Sequence, residues 1–145
     1  MKRVARLLPA ACLAAALAAA PAARAGDSLS EQTLGNWVTE RSEAVIQISV
    51  GAGGALEGRV VSPYRAAVAA VAARDRTARG ELILTGMSYQ GAGSWTGGTI
   101  RDPRNGRCYH ARLQQVDPEH LNVRGFIGLA LFGRTQVWTR YHGAL

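Results

Sequence analysis

From residue 35 onward the chain is a series of short apolar runs broken by glycines, with polar and apolar positions alternating inside most of them. Residues 35–39 open a first strand, and the β-branched run 45–50 makes a second. Residues 56–61 return as a third across the turn Gly51-Ala52-Gly53-Gly54, which reads as a hairpin. Ser62-Pro63 is then expected to break the sheet. Residues 64–79 are alanine-rich, with Tyr64, Val68 and Val71 at helical spacing, and predict one short helix or ordered insertion.

Strands resume at 81–87, 95–101, 107–116, 120–126 and 134–140. Asp102-Pro103-Arg104-Asn105-Gly106 and Asp117-Pro118-Glu119 separate three of them. Pro fixes φ, and Asn-Gly accepts positive φ, so the first of these segments is a turn by its chemistry. Eight short, evenly spaced strands with one helical interruption fit a barrel or a sandwich. Glycines inside strand runs, such as Gly86, Gly97 and Gly98, suit the bends and bulges that close a barrel.

The first 25 residues follow a different pattern. Lys2, Arg3 and Arg6 precede an apolar run at 7–20, and Ala23 and Ala25 stand at the −3 and −1 positions of a cut after Ala25. This is the form of a cleavable export signal. The run is shorter than the roughly 20 apolar residues of a membrane span. The expected organisation is a signal peptide at 1–25 and a single domain at 26–145, exported to the periplasm or beyond, with no transmembrane segment in the mature chain.

That cut changes the charge. The whole chain has 17 basic and 10 acidic residues, a formal +7. Residues 26–145 keep thirteen arginines, no lysine and all ten acids, a mild +3. So small an excess, in an exported domain, excludes nucleic acid as the expected partner. Only Cys108 remains after the cut, so no intrachain disulfide can form and the core must hold the fold. Cys108 reads as a small buried apolar residue.

Catalytic patterns are missing. His110, His120 and His142 lack metal-ligand spacing, and no metal or other cofactor is expected. Around Ser88 and Ser94 the Gly-x-Ser-x-Gly pattern fails, and neither serine leads into a helix. The Gly51–Gly54 run lacks the Lys-Ser/Thr of a phosphate loop. The chain does not read as an enzyme.

The inward faces carry the remaining chemistry. Alternation puts Arg134, Gln136, Trp138 and Arg140 on one face of the last strand, and Arg107, Tyr109, Ala111 and Leu113 on one face of another. It also puts Trp95, Thr99 and Arg101 together. Trp95, Tyr109, Arg124 and Trp138 are the candidate lining of a cavity for an amphipathic molecule. The competing reading is that these aromatics fill a small barrel completely.

Several segments also occur in order: Gly35-Asn36-Trp37, then Gly53-Gly54-x-Leu56-x-Gly58-Arg59-Val60-Val61, then Trp95-x-Gly97-Gly98-x-Ile100-x-Asp102-Pro103. Gly106-x-x-Tyr109-x-Ala111-x-Leu113, Leu121-x-Val123-Arg124-Gly125 and Gly133-Arg134-Thr135-Gln136-x-Trp138-Thr139-Arg140 complete the set. Together they resemble the exported bacterial family known as domain of unknown function 2147. The resemblance implies an all-β, antiparallel, up-and-down eight-stranded lipocalin-like (calycin) barrel. It implies that the Gly-x-Trp indole, Trp37, meets an arginine of the last strand, Arg134 or Arg140, as a structural latch. A cysteine pair that family members often carry beside the Gly-Gly turn is absent, since Val50 and Glu57 stand at the matching positions. The resemblance supplies no settled activity. The expected function is a small envelope protein binding a lipophilic or amphipathic ligand. The alternative is a non-catalytic structural or interaction protein with a filled barrel and an envelope protein partner, which residues 64–79 would contact.

Overall fold

The computed structural model describes residues 25–63, 79–103 and 105–145. A helix, α1 (Ala25–Thr33), comes first. Eight strands follow: β1 (Gly35–Val38), β2 (Ala44–Val50), β3 (Leu56–Pro63), β4 (Leu82–Gly91), β5 (Ser94–Arg101), β6 (Cys108–Asp117), β7 (His120–Phe126) and β8 (Arg134–Arg140). Each pairs antiparallel with the next, and β8 pairs with β1 to close the barrel. The all-β up-and-down eight-stranded architecture is therefore as expected.

Closure is short. Trp37 faces Arg140 and Val38 faces Thr139 across the β1–β8 seam. Inside, Trp37, Ile46, Ile48, Leu56, Leu84, Met87, Trp95, Leu113, Leu121, Val123 and Trp138 form one buried cluster. Burying each such side chain contributes about 1.5–3 kcal/mol before conformational entropy is set against it. This core holds the fold without a disulfide, and Cys108 is free and exposed on the outer wall, not buried.

Three further expectations need correction. Ser62-Pro63 does not break the sheet: β3 continues through it, pairing Ser62 with Val45 and Pro63 with Ala44. A register shift between Val45 and Ile46 absorbs one extra β3 residue, and a proline at a strand's last position leaves the ladder before it intact. Trp95, Thr99 and Arg101 do not share a face. Gly97 has φ +83°, and the β5–β6 register shifts between Trp95 and Gly98. Trp95, Gly98 and Ile100 therefore point inward, while Thr99 and Arg101 point out. At Gly98 a Cβ would stand 2.2 Å from the Thr85 carbonyl oxygen and 2.3 Å from the Met87 sulfur, so only glycine lets β4 and β5 approach here.

The third correction is α1 itself, in a stretch where no helix is expected. The expected helical insertion at 64–79 lies, but for Arg79, outside the described residues. So does the expected signal segment, apart from Ala25.

Candidate functional site

The up-and-down path puts two sets of loops at opposite ends of the barrel. α1, the β2–β3 turn, the Gly91–Gly93 turn and the Pro118–Glu119 turn mark one end. The β1–β2 turn, the β5–β6 turn and the β7–β8 loop mark the other.

The first end is plugged. α1 lies across it and must dispose of its last carbonyls, which no helical N–H can reach. The Trp37 indole Nε1 donates to the Thr33 carbonyl at 2.9 Å. Arg140 donates from Nη1 to the Leu34 carbonyl at 2.7 Å, from Nη2 to the Gln32 carbonyl, and from Nε to the Pro118 carbonyl at 3.1 Å. Its guanidinium carbon sits 3.9 Å above the Trp37 ring. Cation–π stacking of this kind is worth about 0.5–2 kcal/mol. A cation at a helix C-terminus also complements the helix dipole.

Burial pushes the Arg140 guanidinium below the usual arginine value, because charge loses water there, while the nearby Glu119 carboxylate opposes the shift. Three carbonyls and one indole face offset that desolvation. Gly35 belongs to the same device. Its φ is +113°, and a Cβ would lie 2.9 Å from Arg140 Nη1. A side chain there would meet both backbone strain and the guanidinium.

Thr33 completes the plug. It is fully buried, and its hydroxyl donates to the Leu29 carbonyl at 3.2 Å and accepts from the Trp95 indole Nε1 at 3.2 Å. Two of the three indoles are thus fastened to one residue of α1. The Tyr89 ring packs on Trp95 with centroids 4.8 Å apart.

Toward the other end the interior becomes progressively wetter along β5 to β8. On β6, Leu113 is fully buried, Ala111 nearly so, and Tyr109 only half-buried. On β5 the sequence runs from buried Trp95 to half-buried Ile100. On β8 it runs from Trp138, at 1 % exposure, through half-buried Gln136 to exposed Arg134. Trp138 Nε1 donates to Gln136 Oε1 at 3.1 Å, pointing its polar edge toward this end.

The residues named from sequence fall into separate places. Trp37 and Arg140 meet at the plug. Arg134 does not reach Trp37. It pairs across strands with Gly125 on the inward face and binds Glu40 of the β1–β2 turn at 3.3 Å, at the rim of the wetter end. Trp95 belongs to the plug, and Tyr109 and Trp138 line the interior above it. Arg124 is not interior. Leu121 and Val123 point in, so Arg124 points out. There it clamps the β7–β8 loop, donating from Nε to the Ala130 carbonyl at 2.8 Å, from Nη2 to the Leu131 carbonyl at 3.2 Å, and from Nη1 to the Thr135 hydroxyl at 2.7 Å. The guanidinium that the inward face carries to the rim is Arg134.

The histidines are spread over the outside. His120 Nδ1 meets Asp117 at 2.8 Å, and His142 Nε2 meets Glu119 at 2.7 Å. His110 packs against Phe126 with centroids 5.6 Å apart. Among the described residues no group of three histidine, cysteine or acidic side chains is placed to hold a metal. No described helix is long and apolar enough to cross a membrane.

An eight-stranded antiparallel barrel with a short helix over one end, and an arginine of the last strand stacked on an indole of the first, is a lipocalin-like barrel. The chain belongs to the bacterial family described as "Uncharacterized protein conserved in bacteria (DUF2147)", whose profile matches residues 35–140. Among solved structures it is similar to protein HP1028 from Helicobacter pylori, described as belonging to the lipocalin family. The two share 17 % identity with a TM-score of 0.61, over 74 % of this chain and 82 % of that one. At that identity the likeness establishes the fold. A search of curated proteins gives no match.

Proposed function

We propose that this chain is an exported, non-catalytic protein of the cell envelope that holds a small lipophilic or amphipathic molecule in its barrel. The ligand enters at the end opposite α1. The observation that carries this reading is the burial gradient: inward-facing Tyr109, Ile100 and Gln136 are half-buried, while Trp37, Thr33 and Trp95 at the α1 end are buried. An apolar tail would lie against Ile100, Tyr109 and Trp138. Arg134 at the rim is the anchor for a carboxylate or phosphate head, which would displace Glu40 from it. Export rests on the sequence of residues 1–25.

Titration with a fluorescent fatty acid, alongside native mass spectrometry of the purified protein, tests this. Saturable uptake of one molecule is expected. Arg134→Gln should weaken binding of the acid about tenfold and leave a neutral alcohol of the same chain length unaffected. Absence of uptake by every probe would sink the reading. It would favour the second one, a structural or interaction protein with a filled barrel. That reading has its own support in Trp37, Trp95 and Trp138 packing into one continuous core.

A further inference from the structure

The β7–β8 loop is the most apolar exposed stretch among the described residues. Ile127, Leu129, Leu131 and Phe132 are 69 %, 69 %, 80 % and 78 % exposed. Scattered apolar residues on a surface need no explanation, but four on one seven-residue loop do. The loop is also built. Besides the Arg124 clamp, the Phe132 N–H donates to the Leu129 carbonyl at 3.1 Å, and the Gly133 N–H donates to the Ala130 carbonyl at 3.2 Å. A Cβ on Gly133 would lie 2.6 Å from the Gly125 carbonyl oxygen, so the loop leaves the wall at a fixed, close-packed base.

The Ala130 and Leu131 carbonyls, and that of Leu129, are thus satisfied from within while the side chains point outward. Hydrocarbon demands this combination, because a backbone carbonyl entering it without a partner is strongly penalised. A protein partner could supply donors of its own, and hydrocarbon can supply none.

Charge points the same way. Arg124 and Arg134 stand at the base of the loop, and Arg41 and Arg107 are exposed on neighbouring turns at the same end; Glu40, Glu43, Glu81 and Asp102 lie at this end too, Glu40 paired with Arg134 and Glu81 with Arg101. Glu31, Asp117 and Glu119 lie at the opposite end. Among the described residues the loop's end has an apolar tip with a small excess of arginine over acid, and the α1 end is acidic.

We propose that the β7–β8 loop, residues 127–132, inserts into the interface of an anionic phospholipid bilayer, with Arg124 holding the loop and the rim arginines facing the head groups. This orientation would set the wetter end of the barrel against the membrane. The proposal does not depend on the barrel holding a ligand.

The test uses Phe132→Trp in the full chain. The three native indoles are 0 %, 5 % and 1 % exposed, so the new one dominates the solvent-sensitive emission. With vesicles of mixed phosphatidylglycerol and phosphatidylcholine, its emission should shift to the blue and be quenched by bromines placed on the acyl chains. Pure phosphatidylcholine should give a weaker response. Adding Leu129→Ser and Leu131→Ser should lower the partition coefficient reported by this indole about tenfold or more, with the near-ultraviolet spectrum of the buried indoles unchanged. Vesicle binding without acyl-chain quenching at position 132 would overturn the proposal, since the attachment would then lie elsewhere. Equal insertion into neutral and anionic vesicles would remove the head-group contact from it. A blue shift that rises with protein concentration in the absence of lipid would replace the membrane with a second copy of the chain.

Discussion

The two ends of this barrel are made from the same materials and used oppositely. Each has an arginine donating to carbonyls of a neighbouring segment: Arg140 to Gln32, Leu34 and Pro118, Arg124 to Ala130 and Leu131. Each has large apolar side chains close by. At the α1 end those side chains turn inward, so the guanidinium seals a core. At the other end Ile127, Leu129, Leu131 and Phe132 turn outward, so the guanidinium presents a surface. The difference lies in the segment held. α1 is polar and can cover the interior with its backbone ends satisfied, whereas the β7–β8 loop is apolar and remains exposed. Guanidinium–carbonyl contacts fix a segment, and the segment decides whether the result is a plug or a tip.

The largest test of this contrast is Trp37→Ala. It removes the face under Arg140 and the donor to Thr33, and should destabilise by about 3–5 kcal/mol, read as a fall in the urea midpoint. A loss under about 1 kcal/mol would mean the plug is ornamental. Next come the two arginines compared directly. Arg140→Lys loses the stack and the fork, and should cost about 1–3 kcal/mol. Arg124→Ala at the exposed loop should cost about 1 kcal/mol and speed amide exchange mainly at residues 128–133. A larger cost at Arg124 than at Arg140 would erase the distinction.

The smallest expected effect is acidic. Hydrogen bonds from His120 and from the Glu119 N–H hold the Asp117 carboxyl below its ordinary value. Its stabilising effect is therefore complete above the unfolded carboxylate range, near pH 4, and is lost as pH falls through it. Asp117→Asn should lower stability slightly at neutral pH and converge with the unchanged protein below the carboxylate range, which flattens the acid limb of the stability profile. The effect is slight because the carboxylate is exposed and solvent screens it.

Much of the wall was legible in the sequence because period-two alternation and turn chemistry are local. The strand boundaries at Ala44, Ser94, Cys108 and Arg134 lie within a residue of where the pattern puts them. Parity was legible only between bulges. Gly97 resets it, and an uninterrupted count therefore assigns Thr99 and Arg101 to the wrong face. Arg124 is a different failure, since Leu121 and Val123 on the same strand already carried the signal that it points out.

α1 left no trace because Ala25–Thr33 has a single large apolar residue, Leu29. Its helical state depends on carbonyl contacts with Trp37 and with Arg140, which is more than a hundred residues away. The same holds for which arginine stacks on Trp37: both candidates face inward on β8, and only the β1–β8 register separates them. The apolar loop was visible as Phe126-Ile127-Gly128-Leu129-Ala130-Leu131-Phe132, but composition does not say which side chains the chain will leave in water.

Hydrogen–deuterium exchange of the three indole N–H groups tests the difference between the ends most directly. Trp37 and Trp95 donate into the plug at Thr33, while Trp138 donates to Gln136 on the wetter side. The Trp138 indole should exchange markedly faster than the other two. If Trp37 exchanges as fast as Trp138, or faster, the α1 end is not the closed one.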